Sequence, residues 1–349
     1  MHFTTMNSFK EIMDWHGMRD WMRFLFMEEP MSFFNKEYED IPLRASAFLG
    51  KTSWEDDLRA ISEQLVDTAN IVLDIQEGRR KCLHLRDWTD WEPNENSKLT
   101  DPDNIFVITP ILRDIDKHDK KPAMVICPGG AYEFVSFQNE GTPVLMLAEL
   151  NGYQGFMINY RAAQNAAYPN PQMDLLETIA YIRENAEKFG VDEKRIAAVG
   201  FSAGGHLVGS AAGVADELLP SGKPNAVVLG YPVISLKDGV THEQSRYNLI
   251  ERTKNKDIDK TYEELRDKLS VEELADKNYP PAFIWACEDD DCVPSVNTKL
   301  MGEALEKSGV LNEWHLYPTG GHGCGLAFGN SAYTWSESML KFLKKAFMS

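Results

Sequence analysis

The 349-residue sequence predicts an α/β architecture: a mostly parallel, doubly wound sheet with flanking helices, preceded by a mainly helical N-terminal extension. Three observations carry this prediction. From residue 104 onward, short apolar runs alternate with longer amphipathic stretches, the pattern of βαβ units. Most of the apolar runs are rich in Val, Ile or Phe and are bounded by Gly or Pro. One of them leads straight through a glycine-rich pentapeptide into a small-residue, helix-compatible stretch.

The expected strands are 105–108, 123–127, 155–158, 196–199, 226–229, 282–286 and 313–317. Helices are expected between and after them. Residues 142–150 are apolar on one face. Residues 172–189 repeat Leu175, Ile179 and Ile182 at helical spacing and stop at Gly190. Residues 295–308 stop at Gly309, and 333–347 form the last helix. Together these make one domain, 104–349. Residues 237–279 interrupt the rhythm, being highly charged and helical-looking over 259–269. In this topology such an excursion rises above the carboxyl edge of the sheet, so it is either a lid or pocket wall, or a solvated insertion.

Residues 1–103 read differently. Trp15, Trp21, Phe24, Leu25 and Phe26 predict an aromatic-rich helix, and Leu58, Ile61, Leu65, Val66 and Ala69 share one face of another. No recognisable chemistry lies there. The extension is expected to pack on the domain, to narrow its pocket, or to form a subunit contact in a homo-oligomer.

Hydrophobic residues make up 43% and charged residues 26%, enough apolar material for a substantial core. The formal charge of −18, from 36 basic and 54 acidic residues spread along the chain, repels phosphate backbones and anionic lipid. Neither nucleic acid nor a membrane is therefore an expected partner, whereas a neutral small molecule is. Five scattered cysteines do not form a disulfide framework, and Cys287 and Cys292 lack the second pair or histidine cluster of a zinc site. The opening MHFTTMNSFKEIMDW has acids and aromatics but no uninterrupted apolar stretch, so no signal peptide is expected and the cytoplasm is the expected compartment.

The chemistry centres on Gly200-Phe201-Ser202-Ala203-Gly204, a G-x-S-x-G pattern. A sharp strand-to-helix turn can hold a serine hydroxyl out above a sheet, and its flanks must be small because the turn presses backbone segments together. The five-residue pattern alone is weak, but its setting is specific. A buried-strand run, Arg195-Ile196-Ala197-Ala198-Val199, precedes it, and a run of small residues through Ala212 follows.

A serine hydroxyl needs a base, and the base needs an acid to orient it. In folds with this turn the chain order is Ser, then Asp or Glu, then His. After the strand at 282–286 come Glu288, Asp289, Asp290 and Asp291; the spacing to Pro294 selects Asp290, with Asp289 and Asp291 as the alternatives. The base is expected in the loop after the last strand, where His322 is flanked by Gly320, Gly321, Gly323 and Gly325. His206, on the helix after the turn, is expected to make a structural hydrogen bond, and His315 to pack within its strand. The turn Pro128-Gly129-Gly130-Ala131-Tyr132 approximates an HGGG-type oxyanion loop, with Pro and Ala in place of the first His and last Gly. The N–H groups of Gly130 or Ala131, with that of Ala203, are the expected oxyanion donors.

On these residues the chain resembles the acetyl-xylan and feruloyl esterase-like branch of the α/β hydrolases, near the hormone-sensitive-lipase-like carboxylesterases. The likeness rests on CPGGAYEFVSFQNEG at 127–141, INYR at 158–161, GVDEKRIAAVGFSAGGHLVGS at 190–210, YPPAFIWACEDDDCVPSVNTKL at 279–300 and WHLYPTGGHGCGLAF at 314–328. It implies a catalytic triad of Ser202, Asp290 and His322, no metal or organic cofactor, and hydrolysis of short acyl esters, often acetyl groups on plant-wall sugars. Two rivals share these features. A serine peptidase of the same fold has the same triad, but no propeller-like repeat precedes the domain. A non-catalytic ligand-binding homologue would commonly lack one triad member, and all three are present.

Overall fold

A computed structural model describes residues 2–25, 39–44, 55–94, 97, 101, 104–112, 115, 119–252 and 259–348. The strands are β1 (Cys82–His84), β2 (Phe106–Ile108), β3 (Lys121–Cys127), β4 (Gln154–Asn159), β5 (Val191–Phe201), β6 (Ala226–Gly230), β7 (Ala282–Cys287) and β8 (Asn312–Tyr317). Among the described residues they form one eight-stranded sheet, ordered β1-β2-β4-β3-β5-β6-β7-β8. The pairings β1/β2 and β2/β4 are antiparallel and the other five are parallel. Helices cover both faces of the parallel part, so β6 and β7 are buried at every position and read in sequence as continuous apolar runs without alternation.

Each expected strand is present. Two features go beyond them. The three residues of β1 are too short to show a period, yet they join the sheet from the N-terminal side of residue 104. β5 starts at Val191, ahead of its apolar stretch, because Val191 pairs with Lys121 before a register shift that leaves Asp192–Arg195 at the solvated rim.

The longer helices are α1 (Met18–Leu25), α2 (Glu55–Gln76), α3 (Thr142–Leu150), α4 (Asn170–Glu184), α5 (Ala203–Leu218), α6 (Asp259–Lys268), α7 (Val296–Ser308) and α8 (Trp335–Ala346). The helix expected over 172–189 divides at Asn185, and its second piece, Ala186–Phe189, ends at Gly190 with φ +62°. The aromatic helix expected around Trp15–Leu25 is also divided. Phe9–Met13 carries a capping box between Ser8 and Glu11, and Gly17 with φ +72° intervenes before α1. Trp15 thus sits in the turn, 46% exposed, and not on a buried helical face. Phe26 and the side chains of Leu58 and Ile61 lie outside the described residues.

The extension packs on the sheet through rings. Phe24 and Trp91 meet Phe106 of β2 at centroid distances of 5.8 and 4.5 Å, and Phe106 stacks on Phe137 at 5.8 Å. Polar ties accompany them: Arg80 donates to both carboxylate oxygens of Glu149 at 2.9 Å, and the Thr68 and Thr142 hydroxyls lie 3.1 Å apart.

The chain leaves β3 for β4 on one side and returns to β5 on the other, so the carboxyl ends of β3 and β5 flank the switch point of the sheet. Ligand crevices of open α/β sheets form at such points.

Candidate active site

Ser202 follows β5 and caps α5 with φ +53° and ψ −122°, a conformation that costs a non-glycine residue on the order of 1–3 kcal/mol. The flanking glycines make the turn feasible. A Cβ on Gly200 would lie 2.1 Å from the Gly204 carbonyl oxygen, and one on Gly204 would lie 2.1 Å from that of Cys127. The Ser202 N–H donates to Gly230 O at 3.0 Å, while its carbonyl accepts from His206 and Val233. The strained residue is therefore pinned on both sides.

His322 reaches this serine from the loop after β8. Its Nε2 lies 2.8 Å from Ser202 Oγ and its Nδ1 2.8 Å from Asp290 Oδ2. A carboxylate only accepts, so Nδ1 carries the proton and Nε2 is left to accept from the serine hydroxyl. Asp290 Oδ1 in turn accepts from the N–H groups of Cys292 at 3.0 Å and Val293 at 2.8 Å. Of the run of acids, Asp290 is the one brought to the imidazole. Asp289 serves the loop instead, accepting from Gly321 N at 2.8 Å and Gly320 N at 3.2 Å, and these bonds hold its carboxyl below the usual carboxylate range. The edge of the Tyr231 ring supports His322 at 5.0 Å between centroids.

The loop Pro128–Tyr132 lies at the carboxyl end of β3. Gly130 has φ +123°, and a Cβ there would lie 2.2 Å from Phe134 O; Ala131 and Tyr132 follow with φ near +57° (56° and 58°). Four contacts fix the loop: Tyr160 donates to Pro128 O at 2.7 Å, Gly129 N to Glu140 Oε2 at 2.7 Å, Asn248 Nδ2 to Ala131 O at 2.8 Å, and the Tyr132 hydroxyl to His206 Nδ1 at 2.8 Å. Ala203 opens α5, where the first N–H groups of a helix have no partner within the helix.

His206 is fully buried, its Nε2–H donating to Leu269 O at 2.9 Å. Burial pulls its pKa down to about 4, partly opposed by that bond, so the ring is a neutral strut between the 128–132 loop and the 237–279 excursion. His315 packs beside Phe283 and Tyr317 within the sheet and contacts Glu313. The excursion lies against the loop at 128–133 through Asn248 and through an Arg252–Glu133 ion pair; its residues 253–258 are outside the described set. Reading along the chain missed Tyr132, Glu140, Tyr231 and Asn248. Nothing local marks them, because each acts on a partner far away in sequence.

Among the described residues, no group of three or more His, Cys, Asp or Glu is arranged to hold a metal ion, and no helix is long and apolar enough to cross a membrane. All five cysteines are free thiols.

Comparison with known proteins agrees with this architecture. The chain is 31% identical over 228 residues to endo-1,4-beta-xylanase B of Butyrivibrio fibrisolvens, covering 62% of this chain and 34% of that protein. It is 30% identical over 206 residues to an acetylxylan esterase of Xylanibacter ruminicola, covering 58% and 41%. The matched segments thus span well under half the length of these two relatives. Among solved structures, the acetyl ester-xyloside bifunctional hydrolase of Caldicellulosiruptor lactoaceticus superposes with a TM-score of 0.62 at 31% identity, over 76% of this chain and 96% of that one. The fold is that of the α/β hydrolases. The BD-FAE family model matches residues 111–305, a span that includes Ser202 and Asp290 and more than half of the sequence; the chain belongs to the BD-FAE family.

Proposed function

We propose that this protein is a serine esterase that hydrolyses short-chain acyl esters, acetyl above all, with acylated plant-wall oligosaccharides as the natural substrate class. The observation that carries the reading is the unbroken path Ser202 Oγ to His322 Nε2 and His322 Nδ1 to Asp290 Oδ2, each step 2.8 Å. The names of the similar proteins support the substrate class, since acetylxylan and acetyl ester-xyloside substrates appear among them.

In this mechanism His322 Nε2 takes the Ser202 proton as Oγ bonds to the ester carbonyl carbon. The carbonyl oxygen becomes an oxyanion, held by the Ala203 N–H and that of Gly130 or Ala131. Asp290 keeps Nδ1–H aimed away from the serine and stabilises the imidazolium. Collapse of the tetrahedral intermediate breaks the bond to the alcohol oxygen, and His322 hands that oxygen its proton. Water then enters, gives a proton to His322 and attacks the acyl carbon; the second collapse releases the carboxylic acid and returns the proton to Ser202. On this reading the excursion, which meets the 128–132 loop through Asn248, forms one wall of the substrate pocket.

Ser202→Ala, assayed on p-nitrophenyl acetate, is expected to lose activity by about 10⁴-fold or more. Undiminished turnover would refute the nucleophile. Rates on acetylated xylo-oligosaccharides against aryl and fatty esters then test the substrate class.

A further inference from the structure

The mechanism above leaves one buried carboxylate unused. Glu140 is 3% exposed and lies in a π-helical turn, Phe137–Gly141, between β3 and α3. Its two oxygens have two donors. Gly129 N–H donates to Oε2 at 2.7 Å, and the Tyr231 hydroxyl donates to Oε1 at 2.7 Å. The direction of the second bond follows from a third: Gly325 N–H donates to Tyr231 Oη at 3.0 Å, so the phenol accepts there and turns its only proton to Glu140. One donor on each oxygen is the pattern of an ionised carboxylate. The neighbouring residue repeats the connection, since Asn139 Nδ2 donates to Gly323 O.

These partners are not arbitrary. Gly129 immediately precedes the proposed oxyanion donors, and Gly323 and Gly325 lie one and three residues beyond His322. We infer that Glu140 is a positioning residue, clamping the oxyanion loop and the histidine loop in one register, with Tyr231 as the relay and Asn139 as a second tie. Two loops that follow separate strands would otherwise drift independently, and misplacement of either by an ångström weakens both proton transfer and oxyanion binding. A π-helical turn suits this task, because the wider turn places Asn139 and Glu140 toward the two loops together. Burial raises the Glu140 pKa, while the Tyr231 and Gly129 bonds and the nearby His322 work in the opposite direction.

The inference rests on the esterase reading, and its test separates the two. Glu140→Gln replaces one acceptor with an amide donor, so either Gly129 N–H or the Tyr231 hydroxyl then faces a donor. With p-nitrophenyl acetate, kcat is expected to fall about 10- to 100-fold while KM stays within about threefold, as for a group that acts in the transition state without touching substrate. Rates are taken per active site counted by fluorophosphonate labelling carried to its end point, so that unfolded protein does not contribute. Tyr231→Phe keeps the ring and cuts only the relay; a smaller fall in kcat with the same KM is expected, and this variant decides the matter should Glu140→Gln not fold. Per-site kcat within twofold of wild type in the variant that folds would overturn the inference. A wild-type protein that neither turns over the ester nor takes the label would instead overturn the esterase reading itself.

Discussion

Ser202 stands on a turn shaped by its flanking glycines and the strand beside it, whereas Glu140 stands on a turn packed against residues of the N-terminal extension and β2. At the elbow, a Cβ on Gly200 would strike the Gly204 carbonyl four residues on, and a Cβ on Gly204 would strike the Cys127 carbonyl at the end of the adjacent β3, so only glycine fits at either flank. At the π-helical turn, Phe137 is buried against Phe106, which stacks in turn on Trp91 and meets Phe24 from the extension. Thr142, at the end of that turn, meets Thr68 of α2. The difference separates two kinds of dependence. The Ser202 turn depends on steric rules at its own glycines, and the Glu140 turn depends on a packed aromatic column that no motif describes.

The largest expected effect lies on the reacting side. Asp290→Asn should lower kcat by about 10⁴-fold, because the amide favours the wrong imidazole tautomer, with thermal stability little changed. Steady-state kinetics beside a melting curve checks this, and a loss of both together would erase the distinction drawn between the two turns. Phe106→Ala strikes the column instead. It should cost about 3–5 kcal/mol in urea unfolding, as expected for deleting a buried ring, and should lower kcat in the protein that remains folded. Unchanged turnover per labelled site would cut the supposed line from the extension to the catalytic loops.

The third effect comes from His206, which bridges the oxyanion loop and the excursion. Its pKa is near 4 in the fold against an ordinary 6.5, so the unfolded chain binds the proton more readily. The associated stability is complete above about pH 6.5 and is lost as the pH falls toward 4, amounting to roughly 3 kcal/mol across that interval. Unfolding free energies measured at pH 7.5 and pH 5 should show the decline, and His206→Asn should remove this part of the slope. Smallest is Tyr132→Phe, which withdraws the donor from His206 Nδ1 and should cost about 1–2 kcal/mol by the same unfolding assay. A much larger cost would mean that the oxyanion loop is held chiefly by this single bond.

The legibility of the site follows the same division. Ser202 and its glycines were readable because strand, turn and helix are consecutive in the chain. His322 was readable because its flanking glycines, with φ of +63° at Gly321 and +69° at Gly323, mark a loop able to bend back. For the acid, the spacing to Pro294 selects Asp290 and leaves Asp289 and Asp291 as alternatives, since spacing is the one signal within a run of like side chains. The N-terminal helices were only partly readable: an aromatic run states that something is buried, but the exposed Trp15 shows that it does not state the phase or where the helix breaks. β1, with three residues, lies below the length at which a period can be seen.

By itself, then, the amino-acid order determined the α/β class, the strands of the parallel core and the chemical types assembled at the crevice, because burial period and turn sterics act between near neighbours. Tertiary structure alone decided that Asp289 turns to the backbone of Gly320 and Gly321, that Glu140 lies beneath the 128–132 loop, and that Tyr231 joins it to Gly325. Those outcomes depend on hydrogen bonds between residues as much as 94 positions apart, whose distances are set only when the sheet, the π-helical turn and the extension have packed together.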